Sequence, residues 1–366
     1  MSLTSTRYAF ASRFATQSEI QHSARYLIGV DGGGTGCRVV LADRHGAILA
    51  RAQGAAATLA LGPARAWAAI EAACKVAFRQ AGLVMPDFVT PDSVASASAV
   101  SDLAIDARRD LAVDSATGSN AHSATQSAIE ASTLSSPDSF EASACVMACG
   151  LAGVNHPQWR AEFIERAPAL AALTIDSDAY TTLLGAHGGA PGVVVALGTG
   201  SIGAVLERDG TYRTVGGYGF PASDEGSGAW LGLRAMQYAQ YALDGRAARD
   251  AFAQALFKST GIDGHESLIE WLAAAGQADY ARLAPVVLDY RDHAFVVQCL
   301  LKAGEEIGLM IAALDPHDAL PLVLAGGLAP ALQDWVPGQY KSRLRAPQGD
   351  SASGALLLAH RYVQSR

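Results

Sequence analysis

Two short glycine-rich stretches hold the residues best suited to chemistry: Tyr26-Leu-Ile-Gly-Val-Asp-Gly-Gly-Gly-Thr-Gly-Cys-Arg38 and Val193-Val-Val-Ala-Leu-Gly-Thr-Gly-Ser-Ile-Gly-Ala-Val205. Each joins an apolar run to a second β-prone run through a Gly/Thr/Ser turn. That is the pattern of a tight hairpin whose backbone amides face outward. Consecutive outward N–H groups form a concave anion site, so a phosphate chain is the natural ligand. Two such turns, 166 residues apart from Gly32 to Gly198, imply a duplicated unit that grips one polyphosphate from both sides.

The elements that position these turns can be read in order. Strands are expected over 26–31, 36–42 and 47–52, and a helix over about 63–82, where Ala66, Ala69, Ile70, Ala73, Val76 and Ala77 recur at helical spacing. A segment over 88–143 breaks the pattern. Its residues 91–143 hold 13 Ser and 12 Ala with one aromatic, Phe140. Such a stretch buries too little to offset its ordering entropy and is expected to be a disordered insertion. A strand (144–150), helix (157–167), strand (172–176) and helix (178–187) follow. The second half begins the same way, with strands over 192–198, 202–207 and 211–215 and a helix at about 227–243. Next come a helical block (246–314), strands over 320–325 and 342–346, and a last helix over 351–363. An internal repeat of this size implies two similar lobes with a cleft between them, and the glycine turns place the ligand there. The division expected is a flexible extension over 1–24, a first lobe over 25–190 joined by a C-terminal helix over 350–366, and a second lobe over 191–349.

Composition narrows the class. With 366 residues, 50% apolar and 17% charged, the chain is long enough for two substantial cores. A net charge of −8 argues against a nucleic-acid partner, since phosphate-backbone affinity needs clustered Lys and Arg. No apolar run approaches the ~18 residues of a membrane helix, so a soluble protein without a membrane partner is expected. The scattered cysteines (Cys37, Cys74, Cys145, Cys149, Cys299) point to a reducing, cytoplasmic setting with no disulfide framework. Cys145 and Cys149 fall in a run that reads as a buried strand, and His187 reads as a capping cation at a helix C-terminus.

Taken together, the ordered motifs resemble a known family. Asp31-Gly-Gly-Gly-Thr35, Ser177-Asp178, Gly198-Thr-Gly-Ser201, Gly216-Gly-Tyr-Gly219 with Ser223-Asp-Glu-Gly-Ser227, and Ala325-Gly-Gly327 are similar to those of the BadF/BadG/BcrA/BcrD ATPase family, most closely its N-acetylglucosamine/glucosamine kinase branch. The resemblance implies an α/β fold of two ribonuclease H-like lobes, of the actin/hexokinase ATPase type, closing an interlobe cleft on ATP. It implies transfer of a phosphoryl group to an amino sugar, glucosamine or N-acetylglucosamine, at the 6-hydroxyl.

Phosphoryl transfer needs charge neutralisation, in-line positioning and an acceptor for the nucleophile's proton. Asp31 beside the amides would repel phosphate unless Mg²⁺ sits between, so it is the expected metal residue. Gly32, Gly33, Gly34 and Thr35 form one phosphate cradle, and Gly198, Thr199, Gly200 and Ser201 the opposing one. Gly326 and Gly327 resemble the family's adenosine motif. Asp178 follows a strand and opens a helix with Ser177 as N-cap, where the helix dipole favours a carboxylate able to take a hydroxyl proton. By resemblance Asp224 accepts sugar hydroxyls with Glu225 assisting, and Gly217, Tyr218 and Gly219 match a sugar-contacting turn. Where family members place an Asn, this chain has Ala57 then Thr58, which leaves Thr58 as the polar group at that place and the identity of the sugar open.

Two other readings compete. An ATPase activator of a radical dehydratase would need an iron–sulfur cluster, for which Cys145 and Cys149 are the only close pair. A non-catalytic sugar- or nucleotide-sensing module would not need Asp31, Asp178 and Asp224 together. A homodimer is compatible with all of these readings.

Overall fold

In the strand Tyr26–Gly32, Ile28 and Val30 enter one core while Leu27 enters another. This is the two-residue period of a strand buried on both faces. The computed structural model describes residues 8–11, 24–86 and 144–364. The insertion expected over 88–143 and most of the expected N-terminal extension lie outside the described residues.

The first sheet has six strands in the order β1 (Tyr8–Ala11), β6 (Ala172–Ser177), β5 (Cys145–Leu151), β2 (Tyr26–Gly32), β3 (Cys37–Asp43) and β4 (Ile48–Gly54). β2, β3 and β4 form an antiparallel meander, and β5 and β6 add in parallel beside β2. Four residues of the segment read as a flexible extension are thus an edge strand, with Tyr8 opposite Ile175 and Ala11 opposite Ala172. The open edge of β6 offers unpaired backbone groups that a β-prone Tyr-Ala-Phe-Ala run can meet.

The second sheet repeats the plan in the order β10 (Leu322–Ala325), β7 (Gly192–Leu197), β8 (Ser201–Leu206) and β9 (Tyr212–Gly216). Again a meander is extended by a parallel strand beside its first member. The strand expected over 342–346 is not formed; a single bridge, Leu322 to Leu344, stands in its place. Arg343 there donates to the Leu320 carbonyl at 2.8 and 3.0 Å and pairs with Asp315 and Asp318. Those side-chain bonds turn the segment away from a continuous ladder.

Helices run in chain order α1 (Pro63–Gln80), α2 (Pro157–Glu165), α3 (Asp178–Ala186), α4 (Gly228–Leu243), α5 (Ala251–Thr260), α6 (His265–Ala274), α7 (Gln277–Ala281), α8 (Ala284–Asp289), α9 (Ala294–Leu314), α10 (Ala329–Leu332), α11 (Gly338–Lys341) and α12 (Ser351–Gln364). α1 starts on Pro63, whose missing N–H costs nothing at a helix start. It buries Ala66, Ile70, Ala73 and Ala77 on the first sheet. Its Trp67 stacks on Phe163 of α2 at 4.3 Å and donates to the Phe163 carbonyl at 2.7 Å. α4 and α9 cover one face of the second sheet.

α3 is the bridge between the two sheets. Tyr180 and Leu183 pack with Val194, Ala204 and Val323 of the second sheet. On its other side α12, from the far end of the chain, lies against both α3 and the first sheet. The approach of α12 to α3 is a backbone contact: a Cβ at Gly354 would sit 1.9 Å from the Thr181 carbonyl oxygen. The N-terminus of α3 therefore opens at the junction of the two sheets. The result is an α/β molecule of two lobes.

Candidate active site

The first glycine turn is built by the β2–β3 hairpin, where Gly32 pairs with Cys37 and the Gly33 N–H donates to the Gly36 carbonyl at 3.0 Å. Neighbouring loops hold it from beneath. The Ala57 N–H donates to the Gly33 carbonyl at 3.1 Å and the Ala152 N–H to the Gly32 carbonyl at 3.0 Å. Gly34 and Thr35 are exposed at the tip, and among the described residues their amides have no acceptor. Amides presented this way suit an anion.

Asp31 precedes this turn, opposite Gly150 on β5 and Arg38 on β3. Burial pushes its carboxyl up to about 6, against the pull of the Arg38 guanidinium at 3.4 Å. The charges of Asp178 and Asp350 raise it as well, and the Ser351 hydroxyl works the other way. Two elements beyond its own strands thus bear on it: the start of α3 through Asp178, and the start of α12 through Asp350 and Ser351.

Asp178 is the first residue of α3. The Ser177 hydroxyl oxygen accepts from the Tyr180 N–H at 3.2 Å as the N-cap, and Asp178 Oδ1 accepts from the Ala179 N–H at 2.9 Å. Burial raises the Asp178 carboxyl, opposed by the amides of the helix start. Thr181 donates to the Asp178 carbonyl at 3.1 Å, and its hydroxyl lies 2.8 Å from that of Ser351. Across the junction, Ser177 Oγ lies 3.3 Å from the Tyr212 hydroxyl of β9, and the Asp178 charge helps push that phenol up. Asp176 accepts from the Ser177 N–H at 2.7 Å, the geometry of a residue that shapes the turn.

The second glycine turn is closed by the Gly198 N–H donating to the Gly200 carbonyl at 2.9 Å. α4 docks onto it, its Gly228 and Ala229 amides donating to the Gly198 and Thr199 carbonyls at 2.9 and 3.1 Å. The Gly326–Gly327 turn lies alongside, since the Leu328 N–H donates to the Leu197 carbonyl at 3.1 Å. Asp224, only 4% exposed and at φ 70°, turns its carboxylate onto the same turn. Its Oδ1 accepts from the Ser201 N–H at 3.3 Å and its Oδ2 from Gln277 Nε2 at 2.7 Å. A Cβ at Gly200 would lie 2.8 Å from Oδ2, so only glycine lets this carboxylate approach. Burial raises the Asp224 carboxyl, the Ser201 N–H lowers it, and the Glu225 charge adds to the rise.

The remaining predicted residues divide. Gly217, Tyr218 and Gly219 form a tight loop tied by the Ser223 N–H to the Gly219 carbonyl at 2.9 Å. Tyr218 is 92% exposed and, with Glu225, Val215 and Leu309, lines a groove of about 480 Å³. Asp224 does not line that groove. Thr58 is also held elsewhere: its hydroxyl accepts from the Ala60 N–H at 3.4 Å and donates to the Ala152 carbonyl at 3.2 Å. That pins the loop after β4 to the loop after β5. His187 is not the capping cation expected; it is buried, hydrogen-bonded to the Val193 carbonyl at 2.9 Å, and burial lowers its pKa. All five cysteines are buried and free.

Asp31 is a largely buried carboxylate with the Arg38 guanidinium at 3.4 Å on one side and the charges of Asp178 and Asp350 acting on it from others. Among the described residues no group of three or more His, Cys, Asp or Glu could hold a metal alone. Mg²⁺ is commonly bound by one or two carboxylates together with phosphate and water, and that donor set fits the Asp31 site. The sequence did not single out Ser351, Asp350, Thr181 or Gln277 for the site. Their partners lie far away along the chain, and the only local signal was a helix start at 350–353.

Comparison with known proteins agrees with this architecture. The model of the BadF/BadG/BcrA/BcrD ATPase family matches residues 28–359. The glucosamine kinase of Vibrio cholerae is 28% identical over 337 residues, covering 91% of this chain and 95% of that protein. The crystal structure of a candidate N-acetylglucosamine kinase from Chromobacterium violaceum is 42% identical and superposes with a TM-score of 0.75, covering 92% of this chain and 99% of the other. A second such candidate, from Porphyromonas gingivalis, shares the fold at 15% identity and a TM-score of 0.58, with 92% and 99% covered.

Proposed function

The chain belongs to the BadF/BadG/BcrA/BcrD ATPase family, and we propose that it is an ATP-dependent kinase of an amino sugar, glucosamine or N-acetylglucosamine. The named activities of its relatives support the substrate class. The observation that carries the chemistry is the position of Asp178. Asp178 opens α3, whose cap Ser177 lies 3.3 Å from the Tyr212 hydroxyl of the second sheet and whose Tyr180 and Leu183 pack on that sheet, which supports a carboxylate acting where the two lobes meet.

In this reading the ATP phosphates lie on the amides of the first turn and on those of the second turn other than Gly198 and Ser201, which are bonded within the chain, and the nucleoside lies over Gly326 and Gly327. Asp31 would hold Mg²⁺, which would supply charge neutralisation for the phosphates. The sugar 6-hydroxyl faces Asp178, which takes its proton as the oxygen bonds to the γ-phosphorus and the bond to the ADP oxygen breaks. A carboxyl raised by burial is a stronger base than one in water, so its environment suits that role. Gly217, Tyr218, Gly219 and Glu225 meet the sugar, with Tyr218 able to lie on its apolar face; Asp224 joins them from the second turn.

The test is ADP release with ATP, Mg²⁺ and a panel of glucosamine, N-acetylglucosamine, N-acetylmannosamine and glucose. Release confined to the first two sugars is the expected result. Sugar-independent hydrolysis, or binding without release across the panel, would overturn the reading.

A further inference from the structure

A carboxylate already sits on the second glycine turn. Asp224 Oδ1 accepts the Ser201 N–H at 3.3 Å, while the Ser201 hydroxyl donates to the Glu225 carbonyl at 2.7 Å. Both donors of a residue expected to cradle phosphate are therefore committed to the chain itself. What keeps the carboxylate there is outside the loop. Gln277, the first residue of α7, donates Nε2 to Asp224 Oδ2 at 2.7 Å from 53 residues away. α7 is itself anchored: Tyr280 is buried and packs on Phe220 and Trp271, and a Cβ at Gly232 of α4 would lie 1.9 Å from the Tyr280 carbonyl. Asp224 also has a left-handed backbone, φ 70°, a conformation uncommon outside glycine that Asp adopts more readily than most residues.

We propose that Gln277 is a positioning residue that sets nucleotide and sugar affinity in opposite directions by holding Asp224 on the Ser201 amide. A phosphate approaching this turn meets the Asp224 charge, which weakens nucleotide binding. In the kinase reading Asp224 also meets the sugar, and the same anchor fixes the direction of that carboxylate, an acceptor suited to the hydroxyls of a polyol. Loss of the anchor lets the carboxylate swing away from the turn. Nucleotide then binds more tightly and sugar less tightly. A residue that merely supported the fold would weaken both together.

This inference rests on the kinase reading, and the experiment separates the two. Affinities for the Mg²⁺ complex of a non-hydrolysable ATP analogue and for N-acetylglucosamine and glucosamine are measured by calorimetry on wild type, Gln277→Met and Asp224→Asn. Gln277→Met keeps the side-chain length without the donor. Asp224→Asn keeps the shape without the charge. Gln277→Met is expected to tighten the analogue about fivefold, the effect of relieving one like charge at partial burial, and to weaken both sugars about tenfold. Asp224→Asn is expected to tighten the analogue similarly, which keeps the claim testable should the Gln277 variant be unstable. Unchanged affinities, or both weakened together, would overturn the inference while leaving the kinase reading standing. A wild type that binds neither ligand would overturn both.

Discussion

Asp31 and Asp178 share one electrostatic site, although they lie on different elements: the charge of Asp178 is among the causes that lift the Asp31 carboxyl to about 6. Two like charges this close are unfavourable unless a cation or a proton separates them. A divalent cation beside these carboxylates would offset their charge, so binding of a nucleotide analogue is expected to be stronger with Mg²⁺ than without it.

Replacing Asp178 by Asn should remove the proton acceptor while keeping its shape. Turnover is expected to fall on the order of 10²- to 10⁴-fold, with binding of the Mg²⁺–nucleotide analogue retained or improved. Steady-state kinetics beside calorimetry would show it, and full activity in the variant would remove Asp178 from the mechanism.

The raised carboxyl of Asp31 sets a pH dependence of definite sign. The folded state holds this proton up to about pH 6, whereas an unfolded Asp releases it near 3.8. Between those values the native state binds more protons, so its stability without ligand falls as pH rises through the window. Asp31→Asn should therefore melt higher than wild type at pH 7, by an amount on the order of 2–3 kcal/mol, and match it at pH 3.5. If Asp31 holds the cation, kcat/KM for Mg²⁺–ATP, which reports the free enzyme, should decline as pH falls through about 6.

Ser351 offers a finer test. Its hydroxyl lowers the Asp31 carboxyl and lies 2.8 Å from that of Thr181. In Ser351→Ala the acidic limb of the pH–rate profile should move to higher pH, with the alkaline limb unchanged. A profile that scales down uniformly would instead assign Ser351 to packing.

Gly354 sets the spacing of α12 and α3. A methyl group there would lie 1.9 Å from the Thr181 carbonyl and 2.6 Å from the Gly185 amide nitrogen, both backbone atoms. Neither can yield without parting the helices, so Gly354→Ala should cost about 3 kcal/mol or more. Melting temperature and soluble yield report it.

The glycine turns were legible because a β-run, turn and β-run are contiguous in sequence. β2, β3, β7 and β8 start and end within a residue or two of their expected bounds. The doubled plan of the sheets followed from the same local signals. What could not be read was which residues meet across long sequence separations. The Asp224–Gln277 contact spans 53 residues and the Thr181–Ser351 contact 170, and neither leaves a mark on the residues around it. The missing strand over 342–346 is of the same kind: its apolar Leu344 makes one bridge, but Arg343 is drawn off by Asp315 and Asp318. Thr58 illustrates a further limit. A polar residue near a ligand loop can be occupied in fastening that loop, and sequence does not distinguish the two uses.

α12 forms part of the floor under Asp31, yet it is made of residues 351–364. Every other residue named for the site precedes that helix in the sequence. Until that helix docks, the first sheet has one apolar face open and Asp31 lacks its hydroxyl neighbour. A chain in which that helix had not docked would thus carry both glycine turns and Asp178 while Asp31 lacked the influence of Asp350 and Ser351.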